Sequence, residues 1–179
     1  TVSEGSAMGN TIQSTEKRTA TNSSTAISMG GNVMQKVLIN KNAVTMNGQP
    51  LPPMMADMSK DMAKTLGTFI EVAYLNNPET KLTGIENING NEVYVITQKG
   101  KMVTITSYYD AKTGLKIKEV QLINMGGRTQ NQEATFSDYK EFNGVKFATK
   151  KSGSMAGQKL NFTLKDAKVN EGVSDQDFK

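Results

Sequence analysis

Three Asn-Gly dipeptides, at positions 47–48, 89–90 and 143–144, constrain the fold of this chain more than any other local feature. Asparagine and glycine both tolerate the positive φ that a two-residue type I′ turn requires. Close to two of these dipeptides, residues 93–96 (Val-Tyr-Val-Ile) and 146–149 (Lys-Phe-Ala-Thr) have the alternation of half-buried strands. Each dipeptide therefore predicts a β-hairpin, and together they predict an antiparallel sheet.

Further runs of strand character recur along the chain between turn-like segments. Residues 30–32 (Gly-Gly-Asn) and 110–114 (Asp-Ala-Lys-Thr-Gly) supply two more turn signals. The pattern predicts about 10–11 antiparallel strands in meander order, followed by a tail over 170–179. A length of 179 residues, with 16 Gly and 6% aromatic residues, suits a single, turn-rich, mainly β domain that spans 1–179.

One segment, residues 52–70, breaks the strand period and predicts a helix over about 53–75. Pro53 suits the first turn of a helix, and Asn-Asn-Pro at 76–78 ends it. The apolar residues of the segment recur at spacings of three and four, which defines one face of an amphipathic helix. These residues are Met55, Met58, Met62, Leu66, Phe69 and Ile70, and the charged residues assigned to the opposite face are Asp57, Lys60, Asp61 and Lys64.

The predicted architecture is a strongly curved antiparallel sheet, a half-barrel, with this helix on its concave face. Burial of a large apolar side chain contributes about 1.5–3 kcal/mol, so the apolar face should lie against the sheet. The residues expected to face the helix are Val103, Ile105, Leu115 and Ile117, whereas Lys116, Lys118 and Thr104 are expected to face water. The predicted apolar groove consists of Met55, Met58, Met62, Leu66, Phe69, Val95, Ile105 and Ile117.

The methionine content has two interpretations. The chain contains 11 Met, and Met54, Met55, Met58 and Met62 all fall in the predicted helix. Unbranched Met adapts to irregular partners, so the helix is a candidate cover for an acyl chain or an apolar peptide. The alternative is a core in which Met acts only as filler.

Composition excludes several classes of function. The chain contains no His and no Cys, which removes Cys/His zinc sites, thiol nucleophiles, disulfides and imidazole bases. We therefore expect no cofactor, no metal and no catalytic residues. Lys112-Thr113-Gly114 matches one β-lactamase motif, but the companion motifs are missing, and a hairpin turn explains it. An enzyme that uses only carboxylates, such as Asp57 and Asp61, is the least favoured alternative.

Charge and hydropathy narrow the range of partners. The net charge is +4, and only two of the 21 basic residues are Arg, dispersed at positions 18 and 128. Nucleic-acid binding proteins more often cluster Arg for bidentate contacts, so no nucleic-acid partner is expected. No apolar run has membrane-spanning length. Because the chain opens on Thr1 within a strand-like run, we expect it to be excised from a longer polypeptide.

The order of four strands, an amphipathic helix and about seven further strands resembles the LolA-like half-barrel of periplasmic lipoprotein carriers. Four segments carry a closer resemblance, at 90–96, 108–116, 136–147 and 169–178. They are similar to the LolA-like domain at the C-terminus of some insulinase-like (pitrilysin-type) zinc peptidases of Gram-negative envelopes. The same module occurs in outer-membrane lipoprotein-sorting-like proteins. The resemblance covers roughly 80–179 on motifs, and 1–50 on strand order alone.

This resemblance implies a non-catalytic domain of the periplasm or cell envelope of a Gram-negative bacterium. Its concave groove would bind an acyl chain, a lipoprotein or an apolar peptide, or would dock a partner such as an upstream peptidase domain of the same polypeptide. The alternative is a free-standing lipoprotein or lipid carrier. The peptidase family binds zinc through His-x-x-Glu-His, and no residue of this His-free chain matches that motif.

Overall fold

The computed structural model describes residues 1–7, 9–41, 43–155 and 158–179. Within these residues the chain forms one antiparallel sheet of 13 strands, two short α-helices and two 3₁₀ turns. In chain order the elements are β1 (Val2–Ala7), β2 (Asn10–Arg18), β3 (Asn22–Met29), β4 (Asn32–Asn40), β5 (Val44–Met46), β6 (Gln49–Pro50), a 3₁₀ turn (Pro53–Met55), α1 (Ala56–Ala63), α2 (Ile70–Leu75), β7 (Thr80–Ile88), β8 (Asn91–Gln98), β9 (Val103–Asp110), β10 (Lys116–Met125), β11 (Arg128–Phe142), β12 (Val145–Met155), β13 (Gln158–Asp166) and a second 3₁₀ turn (Asp175–Phe178).

The hairpins predicted from the three Asn-Gly dipeptides are confirmed. Asn143 and Gly144 have φ of 47° and 81°, and the pairing of Phe142 with Val145 closes a two-residue turn. The dipeptides at 47–48 and 89–90 also have positive φ at both residues, and each connects two paired strands. Positive φ is a local requirement that Asn and Gly meet at low cost, which explains why these turns are readable from the sequence.

The sheet is strongly curved. Its strand order is β6-β5-β4-β3-β2-β1-β13-β12-β11-β10-β9-β8-β7. Helix α1 nevertheless packs against β4 and β5 near one end of this order and against β9 near the other. The sheet must therefore curl around α1, which lies on its concave side. The predicted fold class is confirmed, with 13 strands instead of about 10–11; the two-residue β6 is too short to give a sequence signal.

The predicted continuous helix over 53–75 is divided in two. Residues 64–69 leave the helical path after α1, where Thr65 N–H and Leu66 N–H bond to carbonyls three residues back. Gly67 has low helix propensity, and a Cβ at this position would lie 2.8 Å from the Phe69 carbonyl oxygen. Helix α2 ends at Leu75, just before residues 76–78.

Strand register separates the sheet into two faces, since directly paired residues of antiparallel strands share a face. We call the face that carries Ile105, Ser107 and Tyr109 the helix-side face, and the other the outer face. Val95 pairs with Tyr108, which alternation along β9 places on the outer face. The expectation that Val95 and Ile105 line one groove is therefore wrong.

A β-bulge corrects the expected orientation of the lysine-rich strand β10. The pairing shifts between Lys116 and Lys118, so that Lys116 pairs with Tyr109 and Glu119 pairs with Ser107. Lys116 consequently lies on the helix-side face, where its side chain is only 16% exposed, and not in water as expected. Ile117 is the unpaired residue of this bulge, which interrupts the alternation that had placed it beside Ile105.

Candidate binding groove

A buried carboxylate anchors α1 to the sheet. Asp61 is 5% exposed, and its Oδ2 accepts the backbone N–H of Met102 at 2.7 Å and of Val103 at 3.0 Å. Lys64 Nζ lies 3.2 Å from Asp61 Oδ1. A Cβ on Gly100 would lie 2.4 Å from the Asp61 carboxyl carbon, so only glycine leaves room for this contact.

The expectation that Asp61 belongs to the water-facing side of the helix is therefore wrong. Asp61 follows Met58 by three residues, which places both on neighbouring positions of one helix face. Met58 is buried, and Asp61 is buried with it because Met102 and Val103, where β9 begins, offer two backbone donors. Asp57, one turn earlier, makes surface ion pairs with Lys60 at 3.8 Å and with Lys101 at 3.5 Å.

Tyrosine hydroxyls anchor α2. The hydroxyls of Tyr74 and Ser107 are hydrogen-bonded at 2.9 Å, and Tyr109 donates to Glu71 Oε1 at 2.8 Å. Burial raises the pKa of the Tyr74 and Tyr109 hydroxyls well above the ordinary range, and the nearby Glu71 adds to the rise. Both tyrosines therefore remain neutral donors at any physiological pH.

Glu119 joins these contacts into a network on the helix-side face. Its carboxylate accepts hydrogen bonds from Lys116 and Gln121, both at 2.9 Å, and from Ser107 Oγ at 3.5 Å. Burial opposes ionisation of Glu119, but Lys116 holds its pKa below the ordinary value. Lys116 Nζ also lies 3.7 Å from Glu71 Oε1. The network therefore ties α2 to β9 and β10 through charged as well as neutral bonds.

A small cavity lies beside this network. Its volume is about 160 Å³, and its lining combines apolar side chains with Lys151, Glu119 and Gln121. Lys151 Nζ sits 5.6 Å from the centre of the Phe136 ring, a cation–π contact. The floor of the curved sheet is thus amphipathic, with aromatic and aliphatic surface interleaved with charge.

A larger, open cavity forms where the helical segment is interrupted. It has a volume of about 410 Å³, and residues from the α1–α2 connection, α2 and two turns line it. Its apolar lining includes Leu66, Val72 and Ala73, and Val72 is 48% exposed. Small-molecule sites typically span about 300–1,000 Å³, so this cavity has the size of a ligand site.

The structure brings together only part of the predicted groove. Met58 and Ile105 are buried, Met55, Met62 and Leu66 are half-buried, and Phe69 is 37% exposed with its ring centre 6.2 Å from that of Phe147. Val95 and Ile117 do not join this set, for the reasons of register given above. The residues that sequence reasoning missed are polar: Asp61, Glu71, Tyr74, Ser107, Tyr109, Lys116 and Glu119.

Ser107 is fully buried, so its hydroxyl meets no substrate while α2 is in place. Among the described residues, no three Asp or Glu side chains are grouped as a metal site would need. In the same part of the chain, the helices are too short or too polar to cross a membrane.

Comparisons with known proteins bear on the fold. No family model matches the sequence, and no curated protein is similar to it. The solved structure of a LolA superfamily protein from Nitrosomonas europaea is 14% identical, matches 99% of this chain and 87% of that chain, and has a TM-score of 0.63. The structure of a DUF1329 family protein from Desulfovibrio piger is 13% identical, with the same coverage and a TM-score of 0.58. At this level of identity the likeness establishes the architecture: the chain has a LolA-like fold.

Proposed function

We propose that this chain is a non-catalytic binding protein that holds an apolar chain, such as the acyl chain of a lipid or lipoprotein, in the open cavity beside α2 and the α1–α2 connection. The observation that carries the proposal is the open cavity of about 410 Å³ at the interruption of the helical cover. The LolA-like fold and the resemblance to lipoprotein carriers support the same function.

The contacts of α1, α2 and the connection between them indicate how an acyl chain would enter the cavity. Asp61 holds α1 and Tyr74 holds α2, each by hydrogen bonds to strand β9 or to the loop before it, whereas residues 64–69 between them have no regular structure. Half-buried Met62 and Leu66 flank this connection. Because Met is unbranched, its side chain moves aside for a guest at low energetic cost. A guest that covers the exposed part of Val72 would gain part of the ~1.5–3 kcal/mol of a fully buried apolar side chain.

Titration with a fluorescent fatty-acid probe tests this function. We expect saturable binding of about micromolar affinity, which corresponds to roughly −8 kcal/mol. Val72→Asp places a carboxylate in the open cavity and should weaken binding strongly, because this carboxylate would lose hydration when an acyl chain covers it. Val72 is half-exposed, so this variant should fold.

Val33→Asp is the matched control. Val33 is 62% exposed on β4, away from the cavity lining, so the same substitution should leave probe affinity unchanged. Met58→Asp should abolish probe binding, because it places a charge on the buried face of α1. Lys60→Asp, at an exposed position of the same helix, is its control and should leave binding unchanged. Absence of probe binding at 100-fold excess over the protein, with the fold intact, would contradict the proposal and favour Met as core filler.

We also propose that the chain is the C-terminal domain of an insulinase-like zinc peptidase polypeptide in the cell envelope of a Gram-negative bacterium. The motifs within 80–179 that resemble those domains support this assignment. The full-length gene tests it: an upstream domain with His-x-x-Glu-His is expected, whereas a signal peptide immediately before Thr1 would favour a free-standing carrier. Fractionation of cells that produce the tagged full-length protein should recover it with the envelope.

A further inference from the structure

The two edges of the sheet differ in their capacity to pair. One edge, β6, has two residues and ends in Pro50, which lacks a backbone N–H. The other edge, β7, has nine residues and no proline. A long free edge presents unpaired N–H and C=O groups that can accept a further strand.

The side chains of β7 divide into an apolar pair and a charged pair. Leu82 and Ile85 are 63% and 57% exposed. A bulge between Leu82 and Gly84 places both on the helix-side face, where they pair with Ile96 and Tyr94 of β8. Lys81 and Glu86 pair with Thr97 and Val93, which places both charges on the outer face.

Lys81 and Glu86 are the unusual feature of this edge. Both are exposed, and within the described part of the chain neither side chain is within ion-pair distance of an opposite charge. An antiparallel strand with the same two charges at the same spacing would place an acidic side chain opposite Lys81 and a basic one opposite Glu86.

The bulge selects one register for such a strand. Suppose that two copies of β7 pair antiparallel across a two-fold axis. Any register that is one residue away from the matching register would place side chains of different faces opposite each other. The faces agree when bulge lies against bulge, so that Thr83 is opposite Gly84 of the second copy. That register places Leu82 opposite Ile85 and Lys81 opposite Glu86, and the symmetry repeats each pair.

We propose that β7 is a self-association edge, which pairs antiparallel with β7 of a second copy of this chain. Lys81 and the bulge disfavour pairing with an unrelated strand. Such a strand would offer no opposite charge to Lys81, and its inward and outward side chains would not match those of β7 on both sides of the bulge. A second copy satisfies both features. Because β6 is too short to act as a second template, the two-fold contact closes at the dimer instead of continuing into a fibre.

Charge reversal tests the register directly. Lys81→Glu places two acidic side chains opposite each other at both ends of the paired segment, and Glu86→Lys does the same with two basic ones. Sedimentation velocity over a range of protein concentrations should show a wild-type dimer. Each single variant should associate about tenfold more weakly at low ionic strength.

Mixing the two single variants provides the decisive control. In a mixed dimer, the copy with Lys81→Glu is acidic at both charged positions of β7, and the copy with Glu86→Lys is basic at both. Every acidic side chain would then face a basic one, so association should return to the wild-type level. The Lys81→Glu/Glu86→Lys double variant should also recover. Lys159→Glu, an exposed reversal on β13 in the middle of the sheet, should have no effect.

A wild-type chain that stays monomeric throughout, or a dimer that tolerates both reversals, would overturn the proposal. Failure of the mixture to regain wild-type association would also overturn the proposal. Only pairing of β7 with β7 makes the two charge reversals compensate each other. Val72→Asp should leave the dimer intact, because Val72 lies outside β7, and this keeps self-association separable from ligand binding.

Discussion

The two helices over the curved sheet are held by different chemistry. For α1, the side-chain hydrogen bonds that hold the helix converge on one carboxylate, Asp61, which accepts two backbone N–H groups. For α2, they are distributed over separate hydroxyl contacts of Tyr74 and Tyr109. Ser107, the partner of Tyr74, retains a second contact to Glu119. A concentrated anchor should fail at a single substitution, whereas a distributed anchor should weaken by degrees.

Loss of the Asp61 carboxylate is expected to have the largest effect. Asp61→Ala leaves the N–H groups of Met102 and Val103, two half-buried residues, without this acceptor, and an unsatisfied buried group costs about 1–3 kcal/mol. We expect the free energy of unfolding to fall by about 3 kcal/mol in urea titrations. Asp57→Ala, which removes only surface ion pairs, should cost less than about 1 kcal/mol. Equal losses for the two variants would show that Asp61 is no more an anchor than Asp57.

Crowding the same anchor should have an intermediate effect. In Gly100→Ala the new Cβ would lie within 2.5 Å of the Asp61 carboxylate, which must then move from its backbone donors. Such overpacking typically costs about 1–3 kcal/mol. Gly84→Ala is the control, since a Cβ at Gly84 meets no atom within 4 Å. In an Asp61→Ala background the Gly100→Ala penalty should largely vanish, and an unchanged penalty would place its origin elsewhere.

Substitutions in the α2 anchor should have the smallest effect on the free energy of unfolding at neutral pH. This anchor should, however, be more sensitive to alkali than the α1 anchor. The unfolded chain ionises its tyrosines near pH 10, whereas burial raises the pKa of Tyr74 and Tyr109 in the folded state. Above about pH 10 the folded chain therefore retains protons that the unfolded chain has released, so stability decreases as pH rises.

Replacing either tyrosine by Phe should reduce this alkaline loss while costing about 1 kcal/mol at pH 7 for the missing hydrogen bond. Urea unfolding between pH 8 and about pH 12 measures both quantities. Tyr94→Phe, at a ring that is 40% exposed, should leave stability at pH 7 within about 0.5 kcal/mol of the wild type. An alkaline loss as steep in Tyr74→Phe and Tyr109→Phe as in the wild type would rule out these hydroxyls as its source.

The candidate groove was predictable only in its apolar part. The spacing of Met58 and Leu66 indicates an inward face from sequence alone, because helical periodicity is a local property. The burial of Asp61 depends on backbone donors about 40 residues away, and the inward position of Lys116 depends on a bulge in a strand pair. Periodicity carries no information about either partner.

By itself, the sequence determined the hairpins and hence the mainly β class. Asn-Gly turns at 47–48, 89–90 and 143–144 require only a local backbone conformation, and the residues themselves favour it. Only the tertiary structure decided how the faces of the strands are used. Two bulges, in β7 and β10, reset the inward and outward alternation, and α1 sits inside the curl of the sheet because strands distant in sequence meet around it. The position of a bulge or of a packed helix depends on pairing between strands that are distant in sequence, and many residues contribute to its free energy together. No short stretch of sequence therefore contains enough information to predict it.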